Sequence, residues 1–296
     1  MSEALKFDGK VVVVTGAGQG LGRAYALEFA RRGAKVVVND LGGAADGTGG
    51  TTTYAQNVVA EIEAAGGSAI ANASSVATLE GGEQIIGDAL QKWGRIDALI
   101  CNAGILRDSS FAKLTPANLE AVLDVHLRGA FYCAWPAFRA MKEAGGGSIL
   151  FTTSASGLFG NFGQSNYCAA KLGVVGLMRV LTIEGRKSGV RVNAISPIAS
   201  TRLTGRADAT SDDPMAPERA TPMAVALSHE KSGVTGEIYL AGGGWFSRAH
   251  IACSSGWHAP EGEQTAEAIL AHMGDIKGGK LLEPQNAMEI GEIMKP

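Results

Sequence analysis

The chain has 296 residues, a net charge of −3 and 46% hydrophobic residues, enough for one large domain or two small ones around a sizeable core. That charge balance gives no electrostatic footing for a nucleic-acid or membrane-surface partner, and no apolar run approaches the ~18 residues of a membrane span. Four cysteines, Cys101, Cys133, Cys168 and Cys253, stand far apart without a CxxC pair. They argue against a disulfide scaffold or zinc site and for free thiols in a reducing compartment. With no charged-then-apolar leader and a terminal IMKP that is not a peroxisomal SKL address, the expected location is cytoplasmic.

Short β-branched runs alternate with helical patterns along the chain. KVVVVT (10–15), KVVVN (35–39), SAIAN (68–72), DALICN (97–102), SILFTT (148–153), VRVNAIS (190–196) and EIYLA (237–241) read as seven strands, nearly all apolar, as in a parallel sheet covered on both faces. Tyr54, Val58, Ile62 and Ala65 repeat at helical spacing, as do Ile86, Ala89 and Trp93. The order implies a doubly wound α/β fold.

The first strand runs into TGAGQGLG, with Gly16, Gly18, Gly20 and Gly22 opening a helix. Glycines there let the backbone turn tightly and approach a pyrophosphate at the helix N-terminus. Asp40 closes the second strand about twenty residues on, where a carboxylate binds a ribose 2′-hydroxyl and repels a 2′-phosphate. No Arg or Lys follows it in LGGAADGTGG, so NAD is expected over NADP. The glycine-rich stretch 41–53 reads as a mobile surface loop, with wrapping of the adenosine end of the cofactor as the alternative.

Ser154 ends the fifth strand, on the side where doubly wound sheets bind ligands. Thirteen residues later come Tyr167 and Lys171, one helical turn apart on one face. Oxidation of an alcohol needs a base for the hydroxyl proton while hydride leaves carbon. An ammonium beside the phenol is expected to lower its pKa from ~10, and Ser154 to bond the substrate oxygen. Leu158, Phe159 and Phe162 lie between Ser154 and Tyr167 and are candidate pocket-lining residues. Leu172, Val174, Val175, Leu177, Met178 and Leu181 make the following helix apolar on more than one face, which implies a subunit partner.

Residues 198–221 form the loop after the sixth strand, in which Arg202 and Arg206 read as solvated charges, with contact to a substrate phosphate as the alternative. From about Ser254 the chain turns polar, with one helical stretch (EQTAEAILAHM) and no strand, so a doubly wound domain over 1–253 is expected to carry a C-terminal extension over 254–296. His250, His258 and His272 lack metal-ligand spacing and read as surface residues.

Taken together, TGAGQGLG, Asn102-Ala103-Gly104, Ser154, YCAAK and VRVNAISP resemble the short-chain dehydrogenase/reductase family over residues 6–244. The resemblance implies a Rossmann fold with a seven-stranded parallel sheet and dimers or tetramers. It implies that Gly16, Gln19, Gly20, Leu21, Asp40, Asn102, Tyr167 and Lys171 touch or frame NAD, and that the backbone after Pro197 holds the nicotinamide carboxamide. Ser75, Val76, Ala103, Gly104, Ile198 and Thr201 join that set, and the resemblance implies that residues 198–221 form a substrate lid whose Arg202 and Arg206 could meet CoA phosphates. VVVNDLGG, NAGILRDSSFAKL, VHLRGAF and SASGLFGNFGQSNYCAAKLG resemble, more narrowly, the (3R)-hydroxyacyl-CoA dehydrogenase units of peroxisomal multifunctional enzymes. That implies NAD-dependent oxidation of a 3-hydroxyacyl-CoA. A steroid or other free secondary alcohol is the alternative substrate, and a non-enzymatic nucleotide sensor the alternative class.

Three positions depart from the family pattern. His126 stands where most members have Asn, whose backbone carbonyl holds a water in the proton relay from Lys171. Ser74 or Ser75 replaces an Asp at the adenine, and Ile198 replaces a Gly beside the nicotinamide.

Overall fold

In a computed structural model, which describes residues 3–206, 210 and 212–293, the seven expected strands are all present. They are β1 (Val11–Thr15), β2 (Lys35–Asn39), β3 (Ser68–Asn72), β4 (Ala98–Cys101), β5 (Gly147–Thr152), β6 (Val190–Pro197) and β7 (Ile238–Gly242). All pair in parallel, in the order β3-β2-β1-β4-β5-β6-β7. The order reverses direction between β1 and β4, which opens a crevice beyond the carboxyl ends of those two strands.

An eighth strand, β8 (Trp245–Ala249), extends the sheet past β7, so the sheet is larger than the sequence suggested. Gly243 (φ 58°) and Gly244 (φ 80°) make the two-residue turn between them. Two consecutive residues with positive φ form the hairpin turn that sends a strand back antiparallel.

The helices are α1 (Gly20–Arg31), α2 (Thr53–Ala64), α3 (Leu79–Trp93), α4 (Pro116–Leu123), α5 (Gly129–Glu143), α6 (Ala155–Phe159), α7 (Ser165–Gly185) and α8 (Thr221–Ser228). Because strand side chains alternate, Val12, Val14, Val36, Val38, Ile100 and Leu150 face one layer, where they bury Tyr25, Phe29, Val58 and Ile62 of α1 and α2 and Ala224 of α8. The opposite layer holds α3, α5 and α7. A π-helical turn, Asp124–Arg128, joins α4 to α5 and carries His126 inward. Such turns recur at functional sites. On α7, Val174, Val175 and Met178 are buried, while Leu172, Val180 and Ile183 are about half exposed, as are Phe131 and Trp135 of α5.

The chain divides into two compact units, Met1–Arg248 and Ala249–Pro296. In the second, β9 (Cys253–Ser254) pairs antiparallel with β10 (Leu281–Leu282), alongside α9 (Ala266–Ala271), α10 (Met273–Lys277) and α11 (Met288–Ile293). The ladder corrects the expectation of a strandless tail: two residues per strand are too short to show an alternating pattern. His250 pairs with Glu283 at 2.8 Å, and His272 pairs with Asp275 while stacking on Trp257 at 4.1 Å. Among the described residues no helix is long and apolar enough to cross a membrane, and no three metal-binding side chains gather. The four cysteines are free thiols.

Candidate active site

The glycine turn between β1 and α1 is shaped by close backbone approaches. A Cβ on Gly22 would stand 2.0 Å from the Gly16 carbonyl oxygen, and one on Gly16 would stand 2.7 Å from Ala103 Cα. Gly16 and Gly20 also take φ of 63° and 52°, which side-chain-bearing residues rarely adopt. Asn102 clamps the turn from β4: its Nδ2 donates to the carbonyls of Thr15 and Gly16, both at 3.1 Å. Thr15 Oγ1 in return accepts from the amides of Asn102 and Ala103.

Asp40 Oδ2 accepts from Gly18 N at 2.8 Å, and Oδ1 accepts from Gly42 N at 2.6 Å. The carboxylate is thereby fixed to the turn it is expected to serve. Behind it, Asn39 Nδ2 donates to Asn72 Oδ1 and the Ser74 carbonyl, which sets the Ser74-Ser75 segment beside the crevice.

These residues line a cavity of about 760 Å³, within the range of small-molecule sites. Gly16, Gln19, Gly20, Leu21, Asp40, Ser75, Val76, Asn102, Ala103, Gly104 and Thr201 all border it. Tyr167, Lys171, Pro197 and Ile198 do not; the last two continue β6, with Ile198 N donating to the Ala241 carbonyl at 2.8 Å. Gly43, Ala44 and Gly47 of the 41–53 loop also line the cavity. That loop is tied down rather than loose, because Arg202 Nη1 donates to the Gly43 carbonyl at 2.9 Å and Arg107 Nε to that of Asp46 at 2.8 Å. Arg202 is thus engaged by the loop, and Arg206 lines the same cavity. Residues 207–209 and 211 of the expected lid lie outside the described residues.

Ser154 caps α6, its Oγ accepting from Ser156 N at 3.1 Å, and its side chain is near enough to the Tyr167 phenol to influence it. Tyr167 and Lys171 sit one turn apart on α7, with Lys171 Nζ 5.6 Å from the phenol centroid. A Cβ on Gly157 would meet Lys171 Cβ at 2.6 Å, so glycine lets α6 lie against α7 at this point. Phe159 and Phe162 are 73% and 89% exposed, free to meet a substrate.

The electrostatics correct one expectation. Burial raises the Tyr167 phenol above its usual 10.0, outweighing the nearby Ser154 hydroxyl, which lowers it, while Cys168 and Asp108 push it further up. Lys171 does not offset this, because it is itself buried and brought down to about 7. Its Nζ donates to the Thr152 carbonyl at 2.7 Å. Helical spacing located the pair but did not show how deeply both groups are desolvated.

His126 Nε2 lies 3.0 Å from Ile105 N and 2.8 Å from Ile105 O, and its ring stands edge-on to Tyr167. Burial, then the Lys171 charge, push its pKa well below 6.5, so the imidazole is neutral. Its Nδ1 and Thr152 Oγ1 are buried without partners, and both residues line, with Lys171, a cavity of about 10 Å³, room for a single water molecule.

Sequence reasoning missed the network that sets the start of α7. Asn166 Nδ2 donates to the carbonyls of Arg107 and Asn118, Gln164 Nε2 donates to Asp108 Oδ2, and Ser109 N donates to the Gly163 carbonyl. Three polar residues in four positions before Tyr167 (QSN) were the available signal.

A nucleotide-sized crevice at a strand-order reversal, beside a serine–tyrosine–lysine group, defines a dinucleotide-type α/β site equipped for proton transfer. The short chain dehydrogenase family profile matches residues 10–212. The chain belongs to that family, the short-chain dehydrogenases/reductases, oxidoreductases acting on CH–OH groups. It is 47% identical over 249 residues to peroxisomal multifunctional enzyme type 2 of Mus musculus, covering 84% of this chain but only 34% of that protein. Among solved structures it is similar to a short chain dehydrogenase from Mycobacterium avium, with TM-score 0.78 and 39% identity over 92% of this chain and 97% of that one. It is also similar to a 7α-hydroxysteroid dehydrogenase complexed with NADH and 7-oxo glycochenodeoxycholic acid, with TM-score 0.73 and 27% identity over 82% of this chain and 98% of that one.

Proposed function

We propose that this chain is an NAD-dependent dehydrogenase that oxidises a (3R)-3-hydroxyacyl-CoA to the 3-oxoacyl-CoA. The observation that carries the reaction type is the placement of Ser154 just past the carboxyl end of β5 beside Tyr167, with Lys171 one turn on and its Nζ 5.6 Å from the phenol ring. The acyl-CoA assignment rests on the narrow resemblance of VVVNDLGG, NAGILRDSSFAKL and SASGLFGNFGQSNYCAAKLG to hydroxyacyl-CoA dehydrogenase units.

The residues fit the cofactor: side chains at Gly16 or Gly22 would collide with the backbone that shapes the cradle, and Asp40 presents a fixed carboxylate to it. Arg23, the cation nearest the turn in sequence, is already paired with Glu61, which favours NAD over its 2′-phosphorylated form. Bound NAD⁺ supplies the hydride acceptor and a positive charge that draws the phenol pKa down. Tyr167 takes the hydroxyl proton as hydride leaves the carbinol carbon, and Ser154 holds the substrate oxygen. Lys171 passes the proton onward, with His126 and Thr152 lining the water-sized cavity behind it. The half-exposed apolar residues of α5 and α7 support self-association through that face.

NADH formation from a panel of thioesters tests the reading. The panel holds both C3 stereoisomers of short and steroid-derived 3-hydroxyacyl-CoAs and a free steroid alcohol, each with NAD and NADP. Turnover of the 3R thioesters with NAD is expected. Turnover of the free alcohol alone would keep the chemistry and discard the CoA assignment.

A further inference from the structure

At the opposite end of the sheet, the amino ends of β1, β4, β5 and β6 surround a second cavity of about 480 Å³. Gly145, Gly146, Gly147 and Gly189 line it, and their lack of side chains leaves the space open. The charges around it do not cancel. Lys6, Lys10, Arg95 and Arg191 face two carboxylates, Asp97 and Glu230. Both carboxylates are engaged: Arg95 pairs with Asp97 at 2.6 Å, and Lys10 pairs with Glu230 at 2.7 Å and Asp97 at 3.9 Å. Both ring nitrogens of His229 are engaged within the protein: Nδ1 accepts from Lys231 N at 3.1 Å and Nε2 donates to the Lys6 carbonyl at 2.9 Å.

Three groups are left over: the Lys6 ammonium, for which no ion pair forms among the described residues, the Arg191 guanidinium and the Ser228 hydroxyl. Arg191 is half-buried and has no carboxylate within ion-pair distance among the described residues; its guanidinium donates only to the carbonyls of Leu227, at 2.8 Å, and Ser228, at 3.3 Å. Of the five donors on a guanidinium, three remain unused. Ser228, 4% exposed, lines the same cavity, and its hydroxyl is buried without a hydrogen-bond partner. Arg191 feels the Glu230 charge only at a distance, and a half-buried cation without a direct ion pair and an orphaned hydroxyl are both costly unless something satisfies them.

We propose that this cavity is a binding site for a small oxyanion-bearing molecule, a carboxylate or phosphate compound, held by Arg191, Lys6 and the Ser228 hydroxyl. A guanidinium with spare forked donors matches either oxyanion. The site is separate from the cofactor crevice, with which it shares no lining residue.

Calorimetric titration of citrate, and separately of inorganic pyrophosphate, into the full chain saturated with NADH tests this. One saturable site per chain is expected for at least one of the two anions, weakening as salt rises. The better anion tells carboxylate from phosphate. Arg191→Gln should weaken binding about tenfold or more, as loss of a charge-assisted bond does. If that variant fails to fold, Lys6→Gln and Ser228→Ala carry the test. Ser228→Ala is the sharper of the two: it should weaken the anion while leaving thermal stability unchanged or raised. No saturable binding of either anion, or equal affinity in all the variants that fold, would overturn the site.

Discussion

The imidazole of His126 stands edge-on to the phenol of Tyr167, ring centroids 5.0 Å apart and planes at 90°. The same imidazole fills the space under Gly104, where a Cβ would come within 2.5 Å of His126 Cε1. One buried side chain from the π-helical turn therefore props both the cofactor-side turn and the proposed base.

His126→Ala is expected to cost about 2–4 kcal/mol of stability, from the cavity and the freed Ile105 amide, and to lower kcat more than KM. Its acid dependence carries a sign. The folded pKa lies well below 6.5, so only the unfolded chain takes a proton there as pH falls below that value. The stability contribution is full above about pH 6.5 and drains away below it. Denaturant titrations of wild type and variant between pH 7 and 5 should converge toward acid; parallel curves would contradict the assignment.

Lys171 is held at a cost. With the folded pKa near 7 against 10.5 unfolded, the unfolded chain binds more protons between those values, so stability rises with pH through that window. Lys171→Met should stabilise the fold at pH 7 by about 1–3 kcal/mol after allowing for the lost Thr152 bond, raising the melting temperature, and should abolish turnover. The gain should vanish near the top of the window. A destabilised variant at pH 7 would count against the buried, strained lysine.

Asp40→Ala removes the acceptor for two backbone amides and the proposed ribose partner together. Steady-state kinetics should show kcat/KM for NAD falling at least about tenfold, while that for NADP falls less or rises. An unchanged ratio between the two cofactors would remove Asp40 from the specificity argument.

Gly22→Ala brings a methyl to 2.0 Å from the Gly16 carbonyl. The turn must open, so NADH affinity should fall by more than about tenfold even where the protein stays folded, since overpacking costs about 1–3 kcal/mol. Fluorescence titration of NADH reads this directly.

The seven parallel strands were legible because burial on both faces demands continuous β-branched runs, and VVVV or ILF admits few other readings. The catalytic candidates were legible because their spacing is local: Tyr167 and Lys171 on one helix, Ser154 at a strand end. β8 escaped because WFSRA is largely exposed and carries no alternating apolar face, so only the Gly243-Gly244 turn announces it. The Arg202–Gly43 tether joins residues 159 positions apart, and no local pattern encodes it. The direction of the Tyr167 pKa was misread for the same reason: charge spacing is visible in a sequence, whereas desolvation belongs to the packed fold.

The most direct measurement pairs turnover with cofactor binding in Tyr167→Phe, a change that removes one oxygen from a helix already fixed by Asn166 and Gln164. Loss of NADH formation by about 10²–10⁴-fold with NADH affinity kept is the expected result. Turnover within a few-fold of wild type would contradict Tyr167 as the base and with it the proposed chemistry.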